Sequence, residues 1–273
     1  MKYQAPKTVL CIHDLSTLGR CSTAVIAPVL SVMGHQPAAL PTAILSTHTG
    51  FGSPAVQDCQ AFGPMALRHY QRLGVEFDCI YSGYLAGAQN QQLVKEAFKL
   101  WPSALKVVDP VLGDKGRLYS GMEGMLEGMR ELCRMADIIV PNLTEAALLT
   151  GCAYPAADPT EEELAALKEG LCGICPQALI TGVPMGRDLV SVGCGKQEFI
   201  VRKQALNRSY PGTGDLFGAV LTGSLLRGNA LSAAADAAAG FVVDAIRHTD
   251  PGSDPAYGVW FEPILSKLCG GGM

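Results

Sequence analysis

Four consecutive residues of this 273-residue chain are equipped for chemistry: Gly212, Thr213, Gly214 and Asp215, directly ahead of the apolar run "LFGAVLTGSLL". A helix beginning near Thr213 presents unpaired N–H groups and the positive end of its dipole, and the two glycines let a ligand approach that backbone. The run reads as an anion site. A carboxylate there would repel the anion itself, so Asp215 is expected to act on a neighbour, as a base taking a proton from an attacking hydroxyl. On these four residues alone, Asp215 reads equally as a favourable charge in a first helical turn.

Two further stretches add oxygen ligands. "DPVLGDKGRLY" holds Asp109 and Asp114, and "PNLTE" holds Asn142 and Glu145. Carboxylates and an amide at neighbouring strand ends suit Mg²⁺, which keeps several waters and is shared with substrate phosphates. The same residues have structural readings: Asn142 and Glu145 stand at capping-box spacing, and Asp109 before Pro110 is ordinary turn chemistry. N–H donors for a transferring charge, a metal on phosphates and a base for the nucleophile are together the parts of phosphoryl transfer from a nucleotide to an alcohol.

The elements that must position these groups alternate. "TVLCI" reads as a buried strand, followed by the turn "HDLSTLGR" and a helix over 22–32. "PAALPTAIL" is a strand, "AVQDCQAFGPMALRHYQRL" carries helical spacing, "DCIYSGY" is a strand, and "AQNQQLVKEAFKL" a helix. "LKVVDP", the helix "MEGMLEGMRELCRMA", "DIIVPN", the short helix "LTEAALLTG" and the helix "TEEELAALKEG" follow, the last capped by Thr160 with Glu163 in capping-box position. "DLVSVGC" and "QEFIVRKQAL" flank a turn at Gly195–Lys196 as a hairpin, and helices over 213–226 and 231–246 close the chain. Strand–helix repetition predicts an α/β fold with a mostly parallel sheet covered on both faces and the hairpin at one edge, formed as one domain over 1–273. Ligands in such sheets bind in the loops at the carboxyl ends of the strands.

Composition narrows the partners. A net charge of −4 with Lys and Arg scattered singly gives no footprint for nucleic acid or an anionic membrane. The N-terminal apolar run is too short for a signal peptide and no segment has membrane-spanning length, so a cytoplasmic protein is expected. The loop "HDLSTLGR" lacks both the GxGxxG and the GxxxxGK[ST] phosphate motifs. Ten cysteines, most of them single in apolar runs, read as reduced core thiols. Cys172 and Cys175 form a lone CxxC that follows a helix and lacks the second pair a zinc site needs.

The motifs together resemble the ribokinase-like vitamin kinases, and within them the pyridoxal/pyridoxamine kinases: "LSTHTGF" (45–51), "SGYL" (82–85), "VDPVLGD" (108–114), "PNLTEAALLTG" (141–151), "ALITG" (178–182) and "GTGDLFGA" (212–219), in family order. The resemblance implies a three-layer α/β/α sandwich that moves the γ-phosphoryl group of MgATP to the hydroxymethyl group of a vitamin B6 compound. Asp215 matches the base and Gly212, Thr213 and Gly214 the anion hole. Asp109, Asn142 and Glu145 match positions handling ATP phosphates and Mg²⁺, with Asp114 added to the metal set. Asp114 to Tyr119 resembles the phosphate lid, and Thr181 and Thr213 match nucleotide contacts. Thr49 and Tyr84 match residues near the pyridine ring, with His48 beside them. A homodimer is implied, and a monovalent cation such as K⁺ is a further candidate cofactor.

Two positions depart from the pattern. Asp14 stands where pyridoxal kinases usually have serine, and Val140 where they have threonine. A carboxylate near the ring should favour pyridoxamine through its ammonium group, although Asp14 also reads as a cap of the following turn. Hydroxymethylpyrimidine kinases, which share the fold and often carry an acidic residue in the first loop, are the nearest alternative; a non-catalytic ligand-binding relative would have no need of Asp215.

Overall fold

The computed structural model describes residues 5–270. Nine strands form one sheet in the order β11-β10-β9-β8-β5-β4-β1-β2-β3. They are β1 (Thr8–Ser16), β2 (Gln36–Leu45), β3 (Val56–Asp58), β4 (Cys79–Ser82), β5 (Leu105–Val108), β8 (Ile138–Ile139), β9 (Gln177–Met185), β10 (Asp188–Gly195) and β11 (Phe199–Gln204). The six from β2 to β9 run parallel, and β3, β10 and β11 are antiparallel edges. Because both faces of a parallel sheet are covered, β1 carries an unbroken apolar run from Val9 to Ile12 instead of alternating.

Helices cover the two faces and complete the three layers that the sequence implied. On one side α2 (Phe62–Arg72), α3 (Ala88–Leu100), α4 (Leu126–Arg134), α5 (Leu143–Thr150) and α6 (Glu161–Cys172) pack against Leu10, Ile12, Ile80 and Ile139. On the other, α1 (Thr23–Val32), α7 (Thr213–Leu226) and α8 (Leu231–His248) pack against Val9, Cys11 and Val107. Successive residues of β1 thus serve opposite cores. Both capping boxes form, Asn142 with Glu145 on α5 and Thr160 with Glu163 on α6, and Gly151 (φ 79°) stops α5.

Three expectations are corrected. The stretch read as one helix from Ala55 begins as β3, because the edge of β2 offers Ala43 to Leu45 as partners, and an Asp58 turn then feeds α2. α4 starts at Leu126; Met122 and Met125 form turns before it. The chain does not close on α8: a 3-10 turn at Pro255–Tyr257 lies against Arg20 and His48 at the carboxyl ends of the strands, and a second at Glu262–Leu268 ends against Arg227.

Candidate active site

α7 begins where the apolar run predicts. Its N-cap, Gly212, has φ 76°, and a β-carbon there would lie 1.9 Å from the Arg20 carbonyl oxygen, so only glycine fits. Leu216 donates the first helical hydrogen bond to the Gly212 carbonyl, leaving the N–H groups of Thr213, Gly214 and Asp215 ahead of it. Gly214 is exposed, and a β-carbon there would meet nothing within 4 Å, which leaves open space at the second of these residues. The Thr213 hydroxyl donates to the Tyr210 carbonyl and steadies the turn.

The half-buried carboxylate of Asp215 is held from the first loop. The Ser22 N–H donates to its Oδ2 at 2.8 Å and the Cys21 thiol donates at 3.4 Å. Burial lifts its pKa from 3.8 to about 6, against the Ser22 bond, which lowers it, while the charge of Asp14 raises it further. That places a proton acceptor close to the working range of a general base.

Asp14 lies where the register between β1 and β2 shifts, Thr42 and Ala43 together facing it. It is only 4% exposed. The Ser22 hydroxyl donates to its Oδ1 at 2.5 Å and the Ser16 hydroxyl to its Oδ2 at 3.2 Å. Burial raises its pKa, and its charge is felt by the half-buried Tyr84 phenol and by Asp215.

Asp109 continues β5, its N–H donating to the Ser82 carbonyl at 2.8 Å. Its pKa is driven well up by burial, then by the charges of Glu145 and Asp215. Glu145 rises from 4.5 to about 7, mainly through burial. Both its oxygens are taken by backbone, Oε1 by Leu112 N–H and Oε2 by Asn142 N–H, each at 2.9 Å. Asn142 in turn accepts from Glu145 N–H and donates to the Gly113 carbonyl at 2.8 Å. Thr181 sits beside Asn142, its N–H donating to the Pro141 carbonyl.

The expected lid is a small hairpin of β6 (Gly113–Asp114) and β7 (Arg117–Leu118) turning on Lys115 and Gly116, both at positive φ. The Gly116 N–H donates to the Thr144 hydroxyl at 2.9 Å, and Tyr119 leaves the hairpin exposed. Asp114 is exposed too, and its carboxylate accepts from the Lys115 N–H. Asp109, Asp114 and Glu145 do not converge as a three-ligand set; among the described residues no such cluster of His, Cys, Asp or Glu exists. What remains is the pair Asp109 and Glu145, which among the described residues has no Lys or Arg ion-pair partner. A carboxylate pair without a cationic partner fits Mg²⁺, which needs one or two carboxylates beside substrate phosphates. Val140 is buried in the apolar core on the α7 side of the sheet.

Among the residues expected near the ring, Thr49 is exposed and opens a short 3-10 turn, and the Tyr84 carbonyl accepts from the Thr42 hydroxyl at 2.9 Å. His48 differs from the expectation of a substrate contact: its Nδ1 accepts from Gly50 N–H at 3.0 Å and its Nε2 donates to the Ala256 carbonyl at 2.7 Å. Both nitrogens are spent on backbone, so His48 fixes the loop. The adjoining Arg20 bonds the Tyr257 carbonyl and pairs with Glu262 at 2.6 Å. Arg20, Cys21, Ser22 and the Ala256–Tyr257 strap were all missed by sequence reasoning; the rule that strand ends carry sites was the sole pointer to the first loop. All ten cysteines are free, and the Cys175 thiol donates to the Ala136 carbonyl. No helix among the described residues is long and apolar enough to cross a membrane.

Comparison with known proteins adds four findings. The family model described as phosphomethylpyrimidine kinase matches residues 66–258. A pyridoxine/pyridoxal/pyridoxamine kinase of Bordetella avium is 30% identical over 264 residues, covering 88% of this chain and 85% of the relative. A Bacteroides thetaiotaomicron protein described as a phosphomethylpyrimidine kinase superposes with a TM-score of 0.93 at 38% identity over 98% of this chain and 96% of its own, and its orthorhombic crystal form contains pyridoxal. The pyridoxal kinase of Lactobacillus plantarum superposes at 0.88 with 35% identity, covering 96% of each chain.

Proposed function

The chain belongs to the pyridoxal kinases within the phosphomethylpyrimidine kinase family of ribokinase-like phosphotransferases, and on that premise we propose that it phosphorylates the 5′-hydroxymethyl group of a vitamin B6 compound with ATP. The observation that carries this reading is the Asp215 carboxylate, raised to about 6 and set in the first turn of α7 beside three N–H donors with open space before them.

In this reading Asp215 accepts the proton of the acceptor hydroxyl as its oxygen attacks the γ-phosphorus and the bond to the β-phosphate oxygen breaks. The proton ends on Asp215, the phosphoryl group on the vitamin, and ADP leaves. The N–H groups of Thr213, Gly214 and Asp215 take the charge spreading over the transferring oxygens. Asp109 and Glu145 would hold Mg²⁺, which supplies charge neutralisation on the phosphates when bound. The β6–β7 hairpin and Tyr119 would cover the phosphates and exclude water, while Asn142 and Thr181 line the nucleotide side. Tyr84 and Thr49 face the ring side, and Asp14 favours the ammonium of pyridoxamine. A homodimer acting in the cytoplasm completes the proposal.

A second acceptor, hydroxymethylpyrimidine, is favoured by the acidic Asp14 in the first loop and the name of the matching family. Coupled ADP release with pyridoxal, pyridoxamine, pyridoxine and hydroxymethylpyrimidine side by side separates the two. Turnover of the B6 compounds supports the main reading, and turnover of the pyrimidine alone moves the protein to the second. No turnover of any acceptor removes the kinase assignment.

A further inference from the structure

Ser22 occupies the N-cap of α1 yet makes no side-chain cap bond. Its backbone is at φ 52°, ψ −133°, a region that a residue with a β-carbon enters only at a cost and only when its surroundings fix it. Three contacts bear on it: an antiparallel bridge to Leu15, its hydroxyl, free of capping and turned to Asp14 Oδ1 at 2.5 Å, and its N–H, which reaches Asp215 Oδ2 at 2.8 Å. One residue therefore joins two carboxylates, and neither carboxylate has a Lys or Arg ion-pair partner among the described residues.

Resting on the kinase reading above, we propose that Ser22 is a positioning residue for phosphoryl transfer. Its hydroxyl, anchored on Asp14, holds the peptide in the rare conformation that aims the Ser22 N–H at the base. Asp14 thereby acts on the reaction through Ser22 and Asp215, in addition to any contact with the acceptor. Without the anchor, the peptide relaxes to an ordinary conformation and the donor turns away from Asp215.

Glycine and alanine at this position separate the idea from a general structural role. Both remove the hydroxyl, but glycine adopts φ 52° without strain and alanine does not. A hydrogen bond to a charged group is worth about 1.5–3 kcal/mol, so Ser22→Ala is expected to lower kcat by about 10- to 100-fold with the KM values for ATP and acceptor little changed. Ser22→Gly is expected to lose about threefold or less. Asp14→Ala should cost far less in the Ser22→Gly background than in the wild type, because the anchored conformation no longer needs it.

The second readout does not depend on turnover: the Asp215 carboxyl pKa, followed by ¹³C NMR in the metal-free protein. Besides Ser22, the groups bearing on it are Asp14 from β1, Cys21 from the first loop, Tyr81 from β4 and Asp109 from β5. Loss of the Ser22 donor disfavours the carboxylate, so its pKa should rise in Ser22→Ala and stay near the wild-type value in Ser22→Gly. Equal kcat and equal Asp215 pKa in the two variants would overturn the proposal, as would a loss confined to KM. If Ser22→Ala does not fold, additive losses in Asp14→Ala and Ser22→Gly overturn it instead. A wild type that turns over no acceptor removes the kinase reading, while the NMR comparison still decides whether Ser22 positions Asp215.

Discussion

Gly212 and Arg20 are packed so closely that a β-carbon on residue 212 would lie 1.9 Å from the Arg20 carbonyl oxygen. The turn that opens α7 and the first loop, almost two hundred residues apart in the chain, thus form one wall. Gly212→Ala must push that wall apart and also hold alanine at φ 76°, a backbone penalty of about 1–2 kcal/mol before the clash is counted. The expected outcome is a fall in kcat/KM of at least about 100-fold with a lowered Tm, because small misplacements of catalytic groups are expensive. Steady-state kinetics and a thermal melt of this single variant check it.

Asp215→Asn keeps the shape of the side chain and its acceptor oxygen for the Ser22 N–H but removes the proton acceptor. A fall in kcat of about 10²- to 10⁴-fold with little change in the ATP KM is expected for a positioned general base. In the wild type the base must be ionised, and its pKa is raised to about 6, so kcat/KM should fall as pH drops below about 6. A variant with unaltered turnover, or a wild-type profile flat down to pH 4, would remove Asp215 from this role.

The parts of this arrangement that were legible in sequence are local ones. Gly212 to Asp215 declare a helix start within four residues, the two capping boxes declare themselves within three, and the buried strands announce themselves as apolar runs. β3 could not be read, since its three residues are all exposed and exist as a strand because β2 leaves an open edge. β6 and β7, two residues each, are too short to carry a period. Ser22 was silent for a deeper reason: its importance lies in a backbone angle and in a bond to a residue 193 positions away, neither of which leaves a pattern in residue types. The same holds for Arg20 and Tyr257, joined across 237 positions.

Asp14 is expected to set the preference among acceptors. Two hydroxyls occupy part of its carboxylate, but an ionised carboxylate has about four acceptor positions, which leaves capacity for an ammonium group. Asp14→Ser should lower the ratio of kcat/KM for pyridoxamine over pyridoxal by about 10-fold. A ratio unchanged by the substitution would confine Asp14 to the support of Ser22.

His48 ties its loop to the C-terminal strap through Ala256, with Phe51 and Tyr257 packed edge to face at 5.0 Å beside it. His48→Ala should raise the acceptor KM by about 10-fold and leave the ATP KM within about twofold, since the side chain ties the strap to the second loop. An equal rise in both KM values would show that His48 supports the fold as a whole. Glutamine, which keeps a donor, should restore part of the loss.

Asp109 offers a test in which loss of function and gain of stability go together. Its folded pKa is raised by burial and by Glu145, so in the metal-free protein it binds its proton more tightly than the unfolded chain does. Its contribution to stability is therefore present below the unfolded value near 3.8 and is lost as pH rises towards the folded value. His13, held neutral by burial with its pKa lowered to about 3, weakens the fold in the opposite sense as pH falls. The informative quantity is accordingly the difference between wild type and Asp109→Asn at each pH, in which His13 cancels. That difference should be near zero at pH 4 and should reach a Tm gain of about 2–4 °C for the variant at pH 8 in the absence of metal. With Mg²⁺ and a nucleotide the order should reverse, because the wild-type carboxylate then gains a cationic partner that asparagine binds poorly. Melting curves of both proteins at pH 4 and 8, with and without Mg²⁺ and a non-hydrolysable nucleotide, measure all four corners, and a variant less stable than wild type at pH 8 without metal would show that the Asp109 charge is compensated within the protein.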